Sequence, residues 1–181
     1  MIKGQNVILR TVIETDIDQI FNFSSDLAEV GDYWSVSLPS AISLKNKFKE
    51  TGMWENDAGM MLITNQEGEI LGQISFFKGL WYQAGFEVGF RIYKNDQRGK
   101  GYLTEALRIF CAYLFELKPI NRLQVNTLKG NYACRRVAEK CGFVYEGTMR
   151  KAAFERGTYQ DIELLSLLSE DSPKLMDLIQ R

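Results

Sequence analysis

The chain has no histidine, few cysteines, no long apolar run and no excess of either charge. Without histidine, Ser-His and Cys-His nucleophile pairs are excluded, and most catalytic zinc sites with them. Cys111, Cys134 and Cys141 are odd in number and lack metal-ligand spacing, so they read as buried or free thiols, and no metal is expected. No window approaches the roughly 18 uninterrupted apolar residues of a membrane-spanning helix. The opening residues Met1 to Asn6 do not spell a signal peptide, so a cytoplasmic protein without a membrane partner is expected. Lys and Arg total 22 against 23 Asp and Glu, a net charge of -1 that argues against a broad nucleic-acid-binding surface. Two phosphate-binding spellings are missing as well. There is no Walker loop, and Gly99-x-Gly101 is not completed by a third glycine or alanine, because Thr104 stands at that place.

What is present is the composition of an ordinary globular domain, 45% apolar and 25% charged over 181 residues. It reads as a single domain spanning 1–181, without internal repeat, linker or low-complexity tract. The chain is organised around Glu87 to Ala106. Phe86, Val88, Phe90 and Ile92 alternate with Glu87, Gly89, Arg91 and Tyr93, the period-two pattern of a strand with unlike faces. After Gly101 the apolar spacing becomes helical through Leu103, Ala106, Leu107, Phe110 and Leu114, to about Lys118. A helix that starts at such a turn offers unpaired N–H groups and a positive dipole end. Gly99 and Gly101 permit close backbone approach, and Arg98 and Lys100 add charge, so the element suits a phosphate or pyrophosphate.

Taken in order, Asn6 to Thr11 alternates as a strand, and Thr15 or Asp16 caps a helix bearing Ile17, Ile20, Phe21 and Leu27. Ser40 begins a second helix with Ile42, Leu44, Phe48 and then Met53 or Trp54 toward the core. Met60 to Thr64 and Ile70 to Phe77 flank a hairpin spelling, Asn65 to Glu69. After the central strand and its helix come a strand at Leu123 to Thr127, a helix from Tyr132 to about Lys140, and strands at Phe143 to Met149 and Tyr159 to Leu168.

Arg98-x-x-Gly101-x-Leu103 after a strand resembles the R/Q-x-x-G-x-G/A signature of the GNAT family of N-acetyltransferases, with Leu103 in place of the small residue. The string from Asn131 through Cys134, Glu139-Lys140 and Gly142-Phe143, then Glu146-Gly147, Arg150 and Gly157-x-Tyr159-x-Asp161, is similar to the RimJ/RimL branch, with Cys134 where that branch has serine. The resemblance covers almost the whole chain. It implies an α/β (α+β) fold: a mixed, mostly antiparallel sheet of about seven strands, splayed in the middle and flanked by about four helices. It implies acetyl-CoA as co-substrate, its pyrophosphate on Arg98, Gly99, Lys100, Gly101, Tyr102 and Leu103, and its pantetheine arm along the backbone of Ile92, Tyr93 and Lys94. Asn131 would orient the arm, and Arg135, with Arg136 and Lys140, would meet the 3′-phosphate.

Acetyl transfer from a thioester to an amine needs a neutral amine, oxyanion stabilisation and a proton for the leaving thiolate. By resemblance Glu87, eleven residues before Arg98, is the candidate base acting through water. It competes with the reading of a strand carboxylate that faces solvent or pairs with an arginine. A backbone N–H near Ile92 or Tyr93 would meet the oxyanion. The tyrosine many relatives use as acid is missing, since Ala138 and Val137 occupy its places, and Cys134 is either the thiolate's partner or a small apolar core residue. Acceptor walls by analogy are Tyr33 and Trp34, the Leu80-Trp81-Tyr82 connection, and the loop from Phe154 to Tyr159. The expected partner is an amine acceptor, a protein N-terminus of the ribosomal-protein kind. The alternatives are a small-molecule amine (polyamine, amino sugar or aminoacylated toxin) and a non-catalytic CoA-binding module, on a monomer or homodimer.

Overall fold

A computed structural model describes residues 1–79 and 84–180. Trp81 and Tyr82, with Leu80, lie outside the described residues. One sheet organises the fold, in the order β1 (Ile2–Lys3), β2 (Ile8–Thr11), β3 (Ala58–Thr64), β4 (Ile70–Phe77), β5 (Gly85–Ile92), β6 (Arg122–Leu128), β8 (Thr158–Leu168), β7 (Val144–Glu155). Every neighbouring pair is antiparallel except β5 and β6. The helices are α1 (Ile17–Ser25), α2 (Leu27–Val30), α3 (Ala41–Thr51), α4 (Tyr102–Leu117) and α5 (Tyr132–Lys140). The expected order of strands and helices is present. The eighth strand is the two-residue β1, too short to leave an alternation in the sequence, and the fifth helix is the single turn of α2.

Alternation on β5 sets the layers. Phe86, Val88, Phe90 and Ile92 are buried in the main core with Leu107, Phe110 and Leu114 of α4 and Ala138 of α5. The opposite face belongs to a smaller cluster in which Ile17 and Ile20 of α1 and Tyr93 are buried, with Leu44 and Phe48 of α3 packed against it. Two expectations fail here. Ile42 is 73% exposed, because two residues on a helix are about 200° apart and the partly buried stripe of α3 runs through Leu44 and Phe48. Leu27 is exposed because α1 has already ended and Asp26 caps α2, its carboxylate accepting from the N–H of Ala28. Below α1, Asp16 is held by the Arg10 guanidinium at 2.6 and 2.9 Å and by the N–H of Ile13 at 2.9 Å, which anchors this layer to β2.

Candidate active site

Among the described residues, β5 and β6 pair only at Gly85 with Arg122, Phe86 with Leu123 and Glu87 with Gln124. Past Glu87, β5 follows β4 to Ile92 while β6 follows β8 to Leu128, so the two strands part. The wedge holds a cleft of about 220 Å³, walled by Val88, Gly89 and Phe90 on one side and Asn126, Thr127, Asn131 and Cys134 on the other. The N–H of Tyr93 donates to the Leu71 carbonyl at 2.9 Å, which fixes the phase of β5. By strand alternation the backbone groups of Val88, Phe90 and Ile92 turn toward the cleft. Of the three backbone positions expected there, Ile92 has this phase. Tyr93 has the opposite one, with its N–H bound to β4, and at Lys94 the strand has given way to a 3₁₀ turn whose first carbonyl receives the N–H of Gln97.

Past that turn, Gly99 and Gly101 adopt φ of +77° and +89°, the left-handed region that glycine enters without steric cost. Gly101 stands at the N-cap of α4, and no side chain caps the helix. The first-turn N–H groups of Tyr102 and Leu103 therefore retain their capacity for an anion. Leu103 packs against the main core, so the absence of a small residue there leaves the exposed face of the loop unobstructed. Lys100 reaches Gln97 Oε1 at 3.0 Å. Arg98 turns back. Its Nη2 donates to the carbonyls of Glu29 at 2.6 Å, Ile92 at 3.3 Å and Tyr93 at 3.3 Å, tying the end of β5 to α2.

Glu87 stands at the fork, on the face of β5 away from α4, and its carboxylate accepts from Asn126 Nδ2 at 2.7 Å. Burial pushes its pKa up, against the pull of hydrogen bonds from Asn126 and Gln124, and the net shift is upward. Because Asn126 gives its amide N–H to Glu87, its Oδ1 faces the other way, buried and without a partner among the described residues. Asn126 was not foreseen. Its place on β6, two residues from Gln124, is legible only once the register is known.

On α5, Asn131 Oδ1 accepts from the N–H of Cys134 at 3.2 Å, so this side chain is the helix cap and keeps its amide N–H for another partner. The Cys134 thiol, half-buried on the cleft wall, is pushed up by burial, with Thr127 opposing. Arg135 is engaged elsewhere: Nε meets Glu139 Oε1 at 2.8 Å, Nη1 meets Glu163 Oε1 at 3.4 Å, and the guanidinium lies over the Tyr145 ring.

Comparison with known proteins gives the same architecture a family. The family profile described as an acetyltransferase (GNAT) domain matches residues 6–144. The chain belongs to the GNAT acetyltransferase family. It is 24% identical over 182 residues to the probable N-acetyltransferase YjcK of Bacillus subtilis, covering 94% of this chain and 98% of that one. To the putative ribosomal N-acetyltransferase YdaF of the same organism it is 32% identical over 105 residues, 58% of this chain and 57% of that one. The solved structure of spermidine N-acetyltransferase from Vibrio cholerae, in complex with CoA and spermine, superposes with a TM-score of 0.80 at 19% identity, covering 91% of this chain and 96% of that one.

This GNAT enzyme has a second, larger cavity of about 490 Å³ on the α1–α3 side of the sheet. Trp34 lines both cavities, and Tyr33 lines the smaller one. Tyr159 does not join them. It is 63% exposed and meets Phe154 edge to face, while Glu155 from the same hairpin does reach the cleft. Arg156 holds the hairpin tip to the carbonyls of Gly31 and Asp32, next to Tyr33. Asp161 accepts the N–H of Lys151 and pairs with Lys129. Arg91, which the sequence reading passed over, forms part of the larger cavity's wall. No group of metal-binding side chains occurs among the described residues.

Proposed function

We propose that this GNAT enzyme transfers the acetyl group of acetyl-CoA to a primary amine, and that the acceptor is the α-amine of a protein N-terminus. The observation that carries the reading is the parting of β5 from β6 just past Glu87, which sets a slot edged by cleft-facing backbone groups beside a half-buried carboxylate. The residues fit the co-substrate: the uncapped first turn of α4 with Gly99 and Gly101 suits the pyrophosphate, and the cleft-facing backbone of Val88 and Phe90 suits an amide-bearing arm. The thioester supplies an activated acyl carbon. Glu87, held by Asn126, takes the amine's proton directly or through water. A cleft-facing N–H of β5 meets negative charge that develops on the carbonyl oxygen. Cys134, protonated at neutral pH, donates to the departing thiolate.

The peptide acceptor draws support from the length of the path. The cleft and the larger cavity both border Trp34, and a chain continuing past it from one to the other would have room for several atoms beyond its reacting amine. The putative ribosomal enzyme among the relatives points the same way. A polyamine would set cationic groups beside Arg91, which pairs with no carboxylate among the described residues. The test is calorimetry with acetyl-CoA, followed by thiol release with peptide, polyamine and amino-sugar panels. Saturable binding and turnover on peptides are expected. Absence of heat at millimolar acetyl-CoA would remove the reading altogether.

A further inference from the structure

Two buried side-chain atoms lack a hydrogen-bond partner among the described residues: the acceptor Asn126 Oδ1 and the donor Arg91 Nε. They stand on the same side of the sheet. Glu87, Gly89 and Arg91 alternate along that face of β5, and Asn126 reaches it by its bond to Glu87. Gly89 lies between them as the position without a side chain. A Cβ there would stand 3.3 Å from Ser75 Oγ and 3.9 Å from the Phe77 ring, a crowding that glycine avoids.

Arg91 is the less ordinary of the pair. Its guanidinium is sandwiched at 4.7 Å from the Trp34 ring and 4.8 Å from Tyr93, and Nη2 donates to Ser24 Oγ at 2.7 Å. Burial and the neighbouring Arg98 disfavour its charge. Tyr93 favours the charge by a side-chain hydrogen bond, yet desolvated cations are ordinarily paired, and aromatic stacking with the hydroxyls of Ser24 and Tyr93 is weak compensation for a missing carboxylate. Arg91 also lines the larger cavity, within reach of whatever enters past Trp34. The unmet acceptor calls for an N–H and the unmet donor for an anion. Successive same-face residues of a strand are about 7 Å apart, which sets the scale of the molecule that satisfies both.

We infer that the acceptor is an anionic amine: its nucleophilic nitrogen lies over Gly89 against Glu87 and Asn126, and a carboxylate about 7 Å away pairs with Arg91. This rests on the proposed acetyl transfer and names its acceptor class. An acidic side chain at the first or second position of a peptide N-terminus supplies that geometry, and so does a free acidic amino acid. Arg91 is then a specificity residue, and no covalent step passes through it.

The experiment compares kcat/KM, by thiol release, for pairs of acceptors that differ only in acid against amide. One arm uses peptides with Glu or Gln at the second position. The other uses free glutamate against glutamine. The acid is expected to be preferred about tenfold or more in at least one arm, mainly through KM, and the preference shrinks with added salt. The arm that shows it identifies the source. Arg91→Gln brings the ratio near one, and Arg91→Lys restores part of it. Acetyl-CoA affinity, read by calorimetry, shows that each variant is folded. If a variant fails to bind, the comparison in the unaltered protein decides alone. Equal kcat/KM for acid and amide in both arms, or preference for spermidine, overturns the inference while acetyl transfer stands. Failure to bind acetyl-CoA overturns both.

Discussion

Asn126 reaches across the fork between β5 and β6 to hold the Glu87 carboxylate at 2.7 Å, so one strand supplies the acid and the other aims it. Glu87→Gln keeps the hydrogen bond to Asn126 and removes only the proton-accepting charge. Turnover is expected to fall by about a hundredfold while acetyl-CoA affinity hardly changes. Steady-state kinetics and calorimetry on the same preparation check this, and unchanged turnover near neutral pH removes Glu87 from the role of base.

The upward shift at Glu87 has two signatures of pH. A base acts when deprotonated, so the rate rises with pH through the raised Glu87 pKa, and Glu87→Gln lacks that limb. For stability, a carboxyl raised in the folded state contributes most below its unfolded pKa, and the contribution is lost as pH rises through the folded value. Glu87→Gln is therefore expected to melt higher than the parent at neutral pH and level with it in acid. Thermal unfolding at both pH values reads the difference.

Asp16 has the reverse sign. Burial pushes its carboxyl up, but the Arg10 guanidinium and the N–H of Ile13 outweigh burial, and the net shift is downward. Its contribution is present above the unfolded carboxyl range and is lost as pH falls through the folded pKa. Asp16→Asn leaves Arg10 without its anion at the root of α1, an expected loss of about 2–4 kcal/mol, measurable by urea unfolding at neutral pH and smaller in acid.

At Gly101 the backbone is left-handed, and no atom obstructs an added methyl. The cost of Gly101→Ala is therefore conformational, about 1–2 kcal/mol. Part of it is expected to appear as weaker acetyl-CoA binding, because relaxing φ turns the first N–H groups of α4. Calorimetry on the variant tests this.

Burial keeps the Cys134 thiol protonated at neutral pH. Cys134→Ala is expected to lower kcat about tenfold and Cys134→Ser to restore most of it, since a hydroxyl donates better than a thiol. Equal kcat in all three proteins would leave Cys134 a packing residue.

The sequence was most readable where structure is local. β5, its glycine turn and α4 announce themselves because the apolar period changes from two to helical within a few residues, and α5 carries Asn131 as its cap. β7 extends to Glu155, beyond the expected Met149, because its residues are exposed on both faces and leave no alternation. Pairing is non-local, so the cleft itself rested on resemblance alone, and the Glu87–Asn126 contact joins residues 39 apart in the chain. Arg98 was read as a phosphate ligand by charge, yet carbonyls of β5 and α2 lie within its reach and receive its donors. Arg91 was visible as a residue on the face of Glu87, but only burial shows that it lacks an anion.

Among the described residues, three residue pairs are all that hold β1–β5 to β6–β8 edge to edge within the sheet. The seam of the molecule and the proposed binding slot are thus one place. A molecule seated there acts as a staple between two halves, so the melting temperature should climb with its concentration, and the bare protein should exchange its amide hydrogens first along the unpaired stretch of β5 and β6.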